Sequence, residues 1–96
     1  MKQKHQENDV IVSRDIYEIA YFLTKTACRI EKVEVVEELG KPASIVTLSG
    51  KDLKKLQLDY LNGVAPVDAI SYRKSLSYVR TLVFGEISKS KREALR

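Results

Sequence analysis

Histidine occurs once in this chain of 96 residues, at His5, cysteine once, at Cys28, tryptophan not at all, and glycine and proline only four times and twice. Each shortage closes a class of function. A lone thiol makes no internal disulfide, and a single histidine near the N-terminus leaves no imidazole beside Cys28 to act as its base and too few ligands for a His/Cys metal centre. Glycines at 40, 50, 63 and 85 cannot build a phosphate-cradling loop or a dinucleotide fingerprint. No run approaches the roughly 18 apolar residues of a membrane span or the apolar segment of a signal peptide. The expectation is a soluble, cytoplasmic protein with no cofactor, no metal, no membrane association and no small-molecule substrate.

What is present is an ordinary globular composition, 44 % hydrophobic and 31 % charged, so there is material for one core and little for a low-complexity linker. The formal charge of +4 is unevenly spread: residues 1–48 carry seven Lys/Arg and eight Asp/Glu, residues 49–96 ten and five. From residue 69 onward seven basic groups face only Glu86 and Glu93. Such asymmetry marks either a solvated tail or a surface for an acidic partner.

Along the chain, residues 1–9 are polar and without period and read as a disordered tail. Val10, Ile11 and Val12 suit a short strand. Ser13 then stands as N-cap to a helical pattern with Ile16, Ile19, Ala20, Leu23 and Ala27 on one face. Residues 29–37 interleave valine and isoleucine with glutamate and lysine, 38–42 supply turn chemistry, and 44–49 return as a second strand, together an antiparallel hairpin. Ser49 and Asp52 have the spacing of a capping box before Leu53, Leu56 and Tyr60, and Asn62-Gly63 ends that helix. With Pro66 in its first turn, a third helix runs on Ala69, Tyr72, Leu76, Val79 and Val83 to about Gly85. A hairpin alone is marginally stable, so helices must cover one of its faces. The fold class expected is α+β, a two-layer single domain in the order α-β-β-α-α with a third short strand at its start, spanning 10–86, and followed over 87–96 by a basic tail or frayed helix extension.

The segment Val12-Ser13-Arg14-Asp15-Ile16-Tyr17-Glu18-Ile19-Ala20-Tyr21-Phe22-Leu23, the hairpin after it, Tyr60-Leu61-Asn62-Gly63 and the last helix from Tyr72 through Leu76 to Leu82 resemble a family of short bacterial and phage-associated domains of unknown function. Ser13-Arg14-Asp15-Ile16-Tyr17 is the most distinctive piece. The resemblance implies the same element order and a bacterial or phage setting. It brings no activity or catalytic residue to transfer.

Among chemical constellations, Tyr21 and Lys25 have the Tyr-x-x-x-Lys spacing of short-chain dehydrogenases, without the glycine fingerprint those enzymes need. Cys28 reads as a small inert core thiol, and Glu31, Glu34, Glu37 and Glu38 as the wet face and turn of a strand. The helical wheels are more informative. At about 100° per residue Leu58 falls away from the Leu53/Leu56/Tyr60 face, Tyr17 and Tyr21 flank the core face of the first helix, and Ile70, Tyr78 and Leu82 lie outside the stripe of the third. That third helix, apolar on more than one side, is expected to be central in the domain or shared with a partner.

Two readings follow. The first is a non-enzymatic interaction module, self-associating as a homodimer or binding a protein partner through Tyr17, Tyr21, Leu58, Tyr78 and Leu82. The alternative is a nonspecific nucleic-acid binder in which Arg73, Lys74 and Arg80, joined by Lys89, Lys91 and Arg92, meet the phosphate backbone. Sequence-specific readout is not indicated, since neither a helix-turn-helix signature nor a set of RNA-stacking aromatics is present.

Overall fold

The structure, a computed structural model, describes residues 8–94. Most of the expected N-terminal tail, with His5, and Arg96 at the other end lie outside the described residues. The elements run β1 (Asp9–Ser13), α1 (Ile16–Lys25), β2 (Cys28–Glu38), β3 (Lys41–Gly50), α2 (Leu53–Leu61) and α3 (Ala69–Ala94). This is the α+β order expected, with the third strand realised.

The three strands form one antiparallel sheet in the order β1-β3-β2. The β2–β3 connection needs only Leu39 and Gly40, both left-handed at φ 52° and 78°, the two-residue loop whose twist matches that of the strands it joins. Pairing fixes the faces: Ile11 and Ile30 flank Leu48, and Ser13 and Val33 flank Val46, toward the helices. Val10, Val12, Ile45 and Thr47 lie on the opposite face. Glu31 is the extra residue of a bulge between Ile30 and Lys32. At the strand ends Gly50 is required by close approach, because a Cβ there would stand 2.4 Å from the Cys28 Cβ.

All three helices pack on the Ile11/Val46/Leu48 face, α2 over β1 and α3 over β2 and β3, with α1 between them. Ile19, Ala20, Tyr21 and Phe22 of α1 are all buried. Four successive residues cover about 300° of a helix, so α1 is enclosed on three sides. The central helix is therefore α1 and not α3, and the reading that left Tyr21 flanking the core is corrected: it is 2 % exposed, its ring centroid 5.5 Å from that of Tyr60 and 5.9 Å from that of Phe22. The wheel assumed one covered face where there are three. The long third helix contributes the fully or nearly buried Val79 and Val83, with Tyr72, Leu76 and Ile87 partly buried beside them, and leaves Ile70, Tyr78 and Phe84 exposed.

Three helix starts differ from expectation, the first two because tertiary pairing competes for the capping residue and the third because a local aspartate caps it. Ser13 remains in β1, and Asp15 caps α1, its carboxylate accepting from the Tyr17 N–H at 2.9 Å. Asp52 sits left-handed at the head of α2 without a side-chain capping bond, Ser49 donates to Glu31, and the Lys54 N–H is instead satisfied by the Asp9 carboxylate of β1 at 3.0 Å. Asp68 caps α3 through the Ser71 N–H at 2.9 Å, so Pro66 lies ahead of the helix rather than in its first turn. The C-terminus of α2 follows the sequence: Gly63 at φ 76° and Val64 donate their N–H groups back to Tyr60 and Asp59. Gly85 does not end α3, which continues as helix to Ala94.

Candidate functional site

A helix of 26 residues is about 39 Å long at 1.5 Å per residue, and α3 outruns the core it covers. Taking Val79 and Val83 to mark the inward direction, Lys74 and Arg92 point almost straight away from the core, Arg73 and Arg80 lie on one flank with Arg80 beside Tyr17 of α1, Lys89 lies on the flank toward β2, and Lys91 borders a groove with Val35, Val36 and Glu37 of the hairpin. All six are exposed. The acidic residues of this helix, Glu86 and Glu93, project back toward the sheet side, and Glu86 lines a groove along β2 with Lys32 and Tyr78. The outward arc, about half the helix circumference, is thus basic and free of acids along its length.

Arg80 is positioned by the neighbouring helix. Its guanidinium donates to the Tyr17 hydroxyl at 3.3 Å and stands 5.9 Å from the Tyr17 ring centroid, while the Tyr17 carbonyl accepts from the Tyr72 hydroxyl at 3.2 Å. The structure so brings together one residue from each expected surface, Tyr17 and Arg80. It separates the others. Leu58 is exposed on α2, which packs on α1 and β1, whereas Tyr78 and Leu82 lie on α3 beside the β2 edge. With Tyr21 in the core, the five residues expected to form one partner surface do not share a face. Exposed Leu61, Val64 and Phe84 were not singled out by the sequence; only a wheel drawn against the true core direction separates Leu61 and Phe84 from core positions, and Val64 lies in the loop after α2.

The distinctive Ser13-to-Tyr17 segment is a strand-to-helix joint in which most side chains have an internal partner. Ser13 Oγ donates to Glu18 at 2.5 Å and accepts from the Asp15 N–H, Gln57 donates to the other Glu18 oxygen, and Arg14 pairs with Glu38. Ile16 packs against the core. Tyr60 donates to Asp15 at 3.3 Å, and burial, then the Asp15 charge, pushes its phenol up to about 12. Burial chiefly raises Tyr72 as well.

The remaining candidates are structural. Tyr21 is raised by burial, the direction opposite to activation, and Lys25 is turned away to donate to the Pro66 carbonyl at 3.0 Å. Burial pushes the half-buried Cys28 thiol up too. Glu31 is held below the usual carboxylate range by the Ser49 hydroxyl and then by Arg29, Glu34 pairs with Lys32 at 3.6 Å, and Glu37 is exposed near the hairpin end. Among the described residues no group of three His, Cys, Asp or Glu side chains is placed to hold a metal ion, and no helix is long and apolar enough to cross a membrane. Comparison with protein-family models, with curated proteins and with solved structures finds no match for this chain.

Proposed function

We propose that this chain is a small non-enzymatic interaction module that binds the backbone of nucleic acids through the outward arc of α3. The observation that carries the reading is the basic arc itself, which holds no acidic residue of α3: Arg73, Lys74, Arg80, Lys89, Lys91 and Arg92, all exposed, on one helix. Arg80, steadied on Tyr17, presents its charge at lower entropic cost than a free side chain. Phosphate contacts from such a row position a protein on nucleic acid without reading bases, and their strength comes from releasing condensed counterions.

An amide NMR titration with short single- and double-stranded DNA at low and physiological salt tests this. The expected result is shift changes along residues 73–92 of α3, with affinity falling on the order of 10²–10³-fold between 50 and 200 mM salt for about five phosphate contacts. Absence of shifts at low salt, or shifts confined to the sheet, overturns the reading.

A further inference from the structure

We propose that this protein self-associates by pairing β2 with the β2 of a second copy, antiparallel about Val33, to form one continuous six-stranded sheet. The expected self-association surface has come apart, but two of its members, Tyr78 and Leu82, reappear in a different setting. β2 is the longest strand, 11 residues, and it stands at the sheet edge with β3 on one side only. Beside that edge runs a groove in which Ile30, Val33, Tyr78 and Leu82 are joined by Glu31, Lys32 and Glu86, with Tyr78 58 % exposed. An edge strand with open N–H and C=O groups and a shelf of mixed apolar and charged side chains along it is what β-augmentation uses: main-chain bonds join the strands and side chains fill the shelf.

Charge selects the occupant. Charged residues on an edge ordinarily repel pairing, but along β2 they alternate in sign, Arg29, Glu31, Lys32, Glu34. A two-fold axis through Val33 sets Lys32 opposite the partner's Glu34 and Glu34 opposite the partner's Lys32, on the outer face of the sheet, and Val33 against its own counterpart on the inner face. With Glu31 bulged as it already is against β3, Val35 falls opposite the partner's Ile30. Directly opposed pairs of unlike charge and of β-branched residues are the favourable ones. Moving the axis to either neighbouring residue sets Lys32 against Lys32 or Glu34 against Glu34. The strand is therefore complementary to an antiparallel copy of itself in a chosen register. The two α3 helices then lie on the same face of the joined sheet, and Tyr78 and Leu82 of each flank the axis.

Sedimentation velocity across micromolar to submillimolar concentrations reads this without nucleic acid, so its outcome is independent of the binding proposed for α3. The wild-type protein is expected to move from 10.9 kDa toward twice that mass as concentration rises. Lys32→Glu and Glu34→Lys, each placing like charges opposite twice over, are expected to weaken association at least tenfold. Mixed in equal amounts, the two variants regain it, because Glu at 32 then faces Lys at 34 and Glu34 faces Lys32. This mixing separates the interface from the pair that Lys32 and Glu34 make within one strand at 3.6 Å, which no mixing restores. Both side chains are about half exposed, so the fold tolerates the changes, and Tyr78→Lys gives a second disruption from the shelf side. A wild-type mass of 10.9 kDa at every concentration, association indifferent to all three variants, or no recovery on mixing each overturns the proposal.

Discussion

Leu39 turns the β2–β3 hairpin at φ 52°, where an L-residue crowds its own carbonyl, and its side chain is wholly exposed, so no contact offsets that strain. Asparagine adopts this conformation far more readily and precedes glycine in the favoured form of the loop. Leu39→Asn is expected to stabilise the domain by about 1 kcal/mol, read as a rise of roughly 4–8 °C in thermal unfolding. Tyr60 sets an alkaline limit. Its folded value of about 12 lies above the ordinary 10.0, so the fold favours the protonated phenol: the contribution is complete below pH 10 and is lost as pH rises from there toward 12. In denaturant melts at stepped pH, Tyr60→Phe is expected to show a shallower fall over that window than the wild type. Both residues were visible in the sequence as turn and helix members. The left-handed strain of Leu39 and the Asp15 contact of Tyr60 were not, since one depends on the loop being only two residues long and the other on α2 docking beside α1.

At the scale of elements, the periodic signals were legible and the N-caps were not. The hairpin, the end of α2 at Asn62-Gly63 and the stripe of α3 follow from alternation, left-handed tolerance and three- and four-residue spacing, all local properties of the chain. The start of α2 is different, because its N–H is satisfied from β1, some 45 residues away in sequence. Asp9→Ala is expected to cost about 1 kcal/mol in chemical denaturation, while Asp9→Asn, which keeps an acceptor oxygen, costs less. A capping box read from Ser49 and Asp52 predicts the opposite, insensitivity at Asp9. Of the two readings of the chain after Gly85, tail or helix extension, α3 takes the second: Gly85 meets no neighbouring atom and the residues beyond it continue the helix to Ala94, so the basic groups at 89–92 extend the row on α3.

For the whole molecule, α1 is enclosed while α3 buries Val79 and Val83 and keeps its basic side exposed. Replacing Arg73 and Arg92, at opposite ends of the arc, by glutamate is expected to lower DNA affinity at least tenfold at low salt and to flatten its salt dependence, because fewer counterions are released. Thermal stability is expected to stay within about 0.5 kcal/mol of the wild type, as both side chains are exposed. Leu58→Lys, on the far side of the helical layer, is the matched control and leaves binding unchanged. Composition and periodicity by themselves determined the element order, the two-layer class, the charge asymmetry and the poverty of catalytic groups, because each depends on residues near one another in the chain. Which helix is central, which serine or aspartate caps it and which tyrosine is buried were decided only when three helices met one face of the sheet. A helix has as many buried sides as it has neighbours, and the number of neighbours is a property of the packing.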